Sequence, residues 1–171
     1  MGATGPAGVS GPAGVAGAGG PAGAVGATGP AGVSEFTEFY AVMPPDNTAT
    51  VAPATAVRFP NDGPTSGQIT RLSASTFELP AVGTYNVSFS VAVDEPGQLV
   101  LVLNGVELPY TVYGRAANAS EITGTALVQT SAVDAVLSLH NPAGEPTALT
   151  ITPLAGGTDP AVASITIERL G

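Results

Sequence analysis

Glycine occupies every third position from Gly2 to Gly32, and no other feature constrains the fold of this chain as strongly. The period is unbroken through eleven triplets. A strict three-residue period is typical of three polyproline-type chains wound together, because only a hydrogen atom fits at their crowded axis. A flexible linker of small residues, the alternative, needs no such spacing. The sequence therefore predicts a three-chain stalk, with its axial glycines at Gly2, Gly5, Gly8, Gly11, Gly14, Gly17, Gly20, Gly23, Gly26, Gly29 and Gly32.

The remaining stalk positions indicate a collagen-like helix of low intrinsic stability. Every proline of residues 1–34 directly follows a glycine, and none stands third in a triplet, where hydroxyproline would lie. This pattern suggests a bacterial or viral producer. The segment has few prolines and no charged side chains. We expect it to extend over about 100 Å at ~3.1 Å per residue, and to need a following domain that holds three chains in register.

Residues 35–171 are predicted to form one compact domain built from strands. In residues 85–93 the odd positions are apolar and the even ones small or polar, which is the pattern of a half-buried strand. Residues 99–103 are apolar throughout and predict a strand covered on both sides. Asn104-Gly105 is a favoured hairpin turn. The sequence predicts a return strand over 106–112.

Shorter runs complete the predicted fold. Turn residues such as Asn61-Asp62-Gly63-Pro64 separate these runs. Residues 131–137 are compatible with a helical turn, but their β-branched content favours a strand. The domain is therefore predicted to be an all-β sandwich or jelly roll. Its further strands are predicted at 38–43, 55–59, 68–72, 76–79, 122–129, 135–140, 147–152 and 162–170.

Charge composition excludes several classes of function. The formal net charge is −9, with four Arg and no Lys, so the chain cannot neutralise a nucleic-acid backbone or dock on an anionic membrane. Without Cys there is no disulfide and no thiolate ligand for zinc. No apolar run reaches the roughly 18 residues needed for membrane insertion. The sequence suggests no cofactor.

Candidate catalytic and metal-binding residues are few. His140 is the only histidine, and no nucleophile elbow or partner at a usable spacing accompanies it, so we predict a protein that is not an enzyme. Asp94-Glu95 and Asn61-Asp62-Gly63 offer oxygens to calcium, but they lack multi-ligand spacing. We interpret them as solvated turns. Tyr85, Tyr110 and Tyr113 are interpreted as packing residues.

The segment from Phe77 to Phe89 resembles the Phe-x-x-Pro-x-x-Gly-x-Tyr-x-x-x-Phe strand of complement-q-type heads, which share the jelly roll of the tumour-necrosis-factor superfamily. The chain as a whole is more similar to BclA-type collagen-like glycoproteins of bacterial spore surfaces. The order of these motifs behind a collagen-like repeat is more specific than any one of them. The matching segments are FYAVMPPDN at 39–47, GQLVLVLNGVELPYTVYGRA at 97–116, NPAGEPTALTITPLAGG at 141–157 and ASITIERL at 163–170.

This resemblance implies a homotrimer whose heads cap extracellular filaments of the spore exosporium. It also implies that the first and last strands face the threefold axis, which selects Phe39, Tyr40, Val42, Ile165 and Ile167 as interface residues. The family's N-terminal leader, which contacts basal-layer proteins of the exosporium, is missing here, so the sequence suggests an expressed fragment. The resemblance further implies O-linked sugars, for which the candidates are Thr4 and Thr28.

Two classes of function remain open: a structural trimerising cap, and an adhesin or ligand-binding head of a bacterial or viral fibre that recognises a host surface ligand. The composition favours the cap, because Trp and Lys are absent and few residues are of the kind that form binding hot spots. We expect the acidic residues to lie mainly on outer loops and to leave an apolar axis, since like charges at the axis would oppose assembly.

Overall fold

A computed structural model describes residues 1–25, 32–43, 46, 50–116, 120–152 and 161–171. The chain separates into two units, Met1–Pro30 and Ala31–Gly171. Residues 1–25 are exposed and adopt no regular helix or strand. A methyl group built on any described glycine of this unit meets no atom within 4 Å. The remaining predicted stalk positions Gly26, Thr28 and Gly29 lie outside the described residues.

The second unit, here called the head, consists of antiparallel strands and one short 3-10 helix, Pro109–Thr111. Among the described residues, no helix is long and apolar enough to span a bilayer. The strands are β1 (Val33–Val42), β2 (Asn61–Ser66), β3 (Thr70–Ser73), β4 (Thr76–Leu79), β5 (Gly83–Val93), β6 (Gly97–Leu103), β7 (Val106–Glu107), β8 (Tyr113–Arg115), β9 (Ser120–Thr130), β10 (Ala135–His140) and β11 (Ala161–Leu170).

The strands form two stacked sheets. The five-stranded sheet has the order β2-β1-β11-β5-β9, and the six-stranded sheet has the order β3-β4-β10-β6-β7, with β8 also paired to β6. The first and last strands are neighbours, with a register that runs from Val33↔Leu170 to Val42↔Ala161. The head is therefore all-β and jelly-roll-like, which confirms the predicted fold class.

The core lies between the sheets and follows from strict alternation along the strands. Tyr85, Val87, Phe89, Val91 and Val93 on β5 all point inward and are at most 4% exposed. Aromatic side chains join the two layers: the Phe39 ring of β1 stacks on the Phe77 ring of β4 with centroids 4.6 Å apart. Offset stacking of this kind contributes about 0.5–1.5 kcal/mol beyond the burial of apolar area.

The predicted return strand over 106–112 is wrong. Only Val106–Glu107 pairs with β6, and the chain then turns into the 3-10 helix. Pro109 has no N–H to donate to a strand partner, and it stands at the first turn of this helix, where none is needed. Thr111 Oγ1 completes the arrangement by accepting a hydrogen bond from the Leu101 N–H at 3.0 Å.

Four other local predictions need correction. Residues 55–59 and 147–152 contain only isolated bridges, formed by Ala56, Leu149 and Ile151, and no regular strand. Residues 61–64 are part of strand β2 and do not form a turn. In segment 131–137 the strand begins at Ala135, after bends that include the positive φ of Asp134. In each case tertiary pairing, which local spacing does not report, decides the outcome.

Candidate assembly surface

The outer side of the five-stranded sheet carries a patch of small hydroxyl side chains, which we call the hydroxyl face. Strand register places Ser164 opposite Ser90 and Thr166 opposite Ser88, while β9 brings its own threonines alongside β5. The patch lines a shallow depression of about 460 Å³. Its small side chains leave the sheet open to close approach by another surface. Its members are Ser88, Ser90, Thr123, Thr125, Ser164 and Thr166.

The five residues predicted at a trimer interface divide between the two sides of this sheet. Phe39, Ile165 and Ile167 point into the core of their own chain and are 3%, 0% and 0% exposed. Tyr40 and Val42 lie on the outer side and are partly exposed. Neighbouring residues of a strand face opposite ways, so only these two of the predicted set can reach another chain through their side chains.

The expectation that acidic residues lie mainly on outer loops is wrong for the described residues. Glu35 and Glu38 lie on β1, Glu121 on β9 and Glu168 on β11, all strands of the five-stranded sheet. Asn86 Nδ2 donates a hydrogen bond to Glu168 Oε2 at 2.9 Å across that sheet. The outer side of the sheet is therefore polar, with hydroxyl groups at its centre and carboxylates around them.

Two exposed apolar clusters flank the hydroxyl face. The stalk-side cluster consists of Val33, Phe36 and Leu170, which are 52%, 41% and 37% exposed. It lies where the head begins, because Val33 pairs with Leu170. Exposed apolar side chains that group together on a soluble surface mark contact sites.

The second cluster, here called the edge cluster, lies along β9 at the other side of the sheet. Tyr110, Val112 and Leu127 are 63%, 39% and 56% exposed. The Tyr110 hydroxyl donates to the Leu127 carbonyl at 3.2 Å, which fixes the aromatic ring beside the strand. Sequence alone offered a signal for Leu127, because it occupies a position of β9 where the alternation calls for a polar residue.

Two tyrosines cover the free edge of β9. The Tyr113 hydroxyl donates a hydrogen bond to the Thr125 carbonyl, and the Tyr110 hydroxyl donates one to the Leu127 carbonyl, two residues further along β9. Tyr113 packs against Gly124, where an added methyl group would lie 2.6 Å from both the Tyr113 and the Phe89 rings. Capping by side chains prevents an edge strand from pairing with a foreign strand, so β9 offers side chains to a partner in place of backbone.

An ion pair holds the start of the head in place. Arg169 Nη1 lies 3.2 Å from Glu35 Oε1, and the Glu35 side chain is only 14% exposed. The other Glu35 oxygen accepts a hydrogen bond from the Gln68 N–H at 2.8 Å. Gly67 allows this approach because its φ is +102° and a methyl group there would overlap Glu35. The segment that enters the head is thus bound to the C-terminal strand.

His140 lies on the six-stranded sheet, away from these clusters. Its Nε2 lies 2.9 Å from Ser138 Oγ. Burial lowers the pKa of His140 below its usual value. Sequence reasoning missed the Ser138 partner, although the two residues share one face of a strand at spacing i, i+2. Ser138 is 5% exposed, and its hydroxyl oxygen lies within hydrogen-bond distance of the His140 ring.

The two calcium candidates are engaged in other contacts. Asp62 makes two hydrogen bonds to Arg71, at 2.8 and 2.9 Å, and the Arg71 partner holds the pKa of this carboxyl below its usual value. Glu95 accepts hydrogen bonds from the Thr150 hydroxyl and N–H, which lower the pKa of Glu95 in the same way. In the described part of the chain, no three His, Cys, Asp or Glu side chains group together as metal ligands.

Solved structures with this architecture come from several kinds of protein. The globular domain of zebrafish complement 1qA is 13% identical, with a TM-score of 0.56 over 80% of this chain and 97% of that one. The PRD1 vertex protein P5 is 18% identical, with a TM-score of 0.53 over 82% and 99%. Murine APRIL is 10% identical, with a TM-score of 0.53 over 80% and 98%. At these identities the likeness establishes the fold. No protein-family model and no curated protein sequence matches the chain.

Proposed function

We propose that this chain is a structural surface protein whose head assembles with two further copies and holds their collagen-like segments in register. The observation that carries the proposal is the glycine period of the stalk, which has no steric cause within one chain. A methyl group on any of its described glycines meets open space. Only neighbouring chains around a common axis would require a hydrogen atom at each of these positions.

The head offers a contact of the kind that a closed ring requires. Phe36 of the stalk-side cluster pairs with Glu168, and Leu127 of the edge cluster pairs with Asn86 in the same row of the sheet. The edge cluster of one copy can therefore pack on the stalk-side cluster of the next without shifting the second copy along the strand direction. A head-to-tail contact without rise can close into a ring, and it closes with three copies when each contact rotates the next copy by one third of a turn.

The hydroxyl face lies between the two clusters and would line the inside of that ring. Ser88 and Thr125 already exchange a hydrogen bond at 3.1 Å within one chain. Small hydroxyl side chains can bond to a partner surface or to trapped water without burying charge. In the proposed trimer the axis is therefore polar and hydrated, while the apolar clusters supply the area removed from water.

The proposed setting is extracellular, as a cap on filaments of a bacterial spore exosporium. The resemblance to BclA-type glycoproteins supports it, together with a chain that contains neither Cys nor Lys. Thr4 and Thr28 are the proposed attachment sites for O-linked sugars, and basal-layer proteins are the proposed partners of a leader segment. Intact-mass measurement of the protein from its native source tests the sugars, since hexose-scale additions on the stalk are expected.

Assembly is tested by light scattering and sedimentation of the full chain at micromolar concentration. We expect a mass about three times that of the 16.7 kDa chain. Leu127→Glu should yield monomers, because it places a charge within the proposed contact. Val106→Glu is the matched control: Val106 is 65% exposed on β7 of the other sheet, so this variant should remain trimeric. Circular dichroism verifies that both variants are folded. A monomeric parent chain, or equal behaviour of the two variants, contradicts the proposal.

A further inference from the structure

The six-stranded sheet carries a depression on its outer side, opposite the assembly surface. It has a volume of about 390 Å³, and its walls are mostly apolar. Val102, Val136 and Ala143 supply alkyl surface, while the polar side chains are those of Thr76, Glu107, Ser138 and His140. Because this face belongs to the other sheet, the depression stays accessible in the proposed trimer, and its use does not depend on that proposal.

The polar groups of the depression present acceptors to a ligand. A neutral imidazole has one N–H, and His140 Nε2 lies 2.9 Å from Ser138 Oγ. In the tautomer with its proton on Nδ1, Nε2 accepts the hydrogen bond from the Ser138 hydroxyl. Once the Ser138 proton is used in this way, its oxygen retains lone pairs but no donor. A ligand that reaches Ser138 must therefore supply the hydrogen.

Glu107 gives the depression a negative charge. One carboxylate oxygen, Oε1, accepts a hydrogen bond from the Ala143 N–H at 2.7 Å. This bond anchors the side chain at the rim, and its charge acts on the His140 ring across the depression. Oε2 retains its lone pairs for a ligand. No Arg stands among the lining residues, so this carboxylate has no cationic side chain beside it in the depression.

We propose that this depression binds a primary ammonium group carried on a short alkyl chain. An ammonium brings three donors and one positive charge, which complement the Glu107 carboxylate and the Ser138 oxygen. The alkyl chain packs on Val102 and Val136 and is thereby removed from water. Carboxylate and phosphate ligands are disfavoured by the like charge of Glu107. Because the chain contains no Lys, the ammonium comes from another molecule, as a free amine or as a lysine side chain.

Titration of the full chain with n-butylammonium, followed by NMR, tests the site. Saturable shifts are expected for the Val102 and Val136 methyl groups and for the His140 ring. 1-Butanol, a neutral ligand of the same length, should bind about tenfold more weakly, in line with the loss of one charged hydrogen bond. Glu107→Gln should weaken n-butylammonium binding by a similar factor. Glu121→Gln removes an equal charge from the opposite sheet and serves as the matched control.

Three results would contradict the proposed ammonium site. Equal affinity for n-butylammonium and 1-butanol, equal effects of the two Glu→Gln substitutions, or no saturable shift with n-butylammonium each overturn the proposal. Nα-acetyl-lysine N-methylamide then distinguishes the sources of the ammonium. If it produces the same shifts, the site accepts a lysine side chain of a partner protein. If only n-butylammonium does so, the site takes a free amine. Neither of these two results depends on the oligomeric state of the head.

Discussion

The surroundings of the glycines differ between the two units of this molecule. In the stalk, a methyl group at Gly14 would meet no atom within 4 Å, whereas in the head one at Gly124 would lie 2.6 Å from two aromatic rings. Close contacts within the chain thus explain several glycines of the head, such as Gly124, Gly97 and Gly114. No such contact explains the described glycines of the stalk. The comparison teaches that the period of the stalk needs another explanation, which the proposed assembly of three chains would supply.

The largest effect is expected on the thermal stability of the stalk when it is separated from the head. A peptide of residues 2–34 is expected to show no cooperative triple-helix transition near room temperature, because it has few prolines and no charged pairs. The same segment attached to the head should show one, since the head raises the local concentration of three chains. Circular dichroism during heating measures both. A stable triple helix in the isolated peptide would remove the need for the head.

Replacement of one glycine in each unit by alanine should change the stability of that unit alone. Gly124→Ala is expected to destabilise the head by about 1–3 kcal/mol, the usual range for overpacking, because Phe89 and Tyr113 must move. Gly14→Ala should leave the unfolding temperature of the head unchanged and lower that of the stalk. Differential scanning calorimetry of both variants separates the transitions. A stalk transition unaffected by Gly14→Ala would argue against a crowded axis.

Acid should affect the head through His140. Burial lowers its pKa from the usual 6.5, so on acidification the unfolded chain takes up a proton before the folded chain does. The stabilisation is complete above about pH 6.5 and is lost as the pH falls through the folded value, by about 1.4 kcal/mol for each unit between the two values. Urea titrations across this range measure it. His140→Gln should flatten the dependence, and an unchanged profile would contradict this role.

The smallest effect is expected at the Asp62–Arg71 pair. Their side chains are 61% and 26% exposed and lie at the sheet edges formed by β2 and β3. Exposed pairs contribute about 0.2–1 kcal/mol, so Asp62→Asn should lower stability only slightly, and added salt should reduce the difference. Urea titration at low and high salt is the measurement. A loss well above that range would mean that the pair holds the two sheets together.

The strands that bury one face were accessible from the sequence. Strands β4 and β10 have the predicted bounds, 76–79 and 135–140. The strand predicted over 85–93 ends where predicted but begins earlier, at Gly83. Their alternation is a direct consequence of one face packing on the core. Alternation alone does not guarantee a strand. Val57 and Phe59 are both fully buried, yet residues 55–59 contribute only one bridge to β10, through Ala56.

The candidate sites were harder to predict, because they depend on which strands become neighbours. The family resemblance selected Phe39 and Ile165 as interface residues, whereas alternation along β1 and β11 turns both side chains into the core of their own chain. The edge cluster brings Tyr110 beside Leu127, and the depression brings Glu107 near His140. The residues of each pair are separated along the chain and meet only through sheet register and the turn at Pro109. No local sequence pattern could therefore predict these contacts.

The sequence by itself determined that one segment has a three-residue period and that the other consists of half-buried strands. Both are local consequences of the size and polarity of side chains: glycine where an axis is crowded, and alternation where one face is buried. The tertiary structure decided which outer face is lined with hydroxyl groups and where the exposed apolar clusters lie. It also decided that His140 lies beside Ser138 in the wall of a depression. Those arrangements depend on long-range pairing, which only the folded chain establishes.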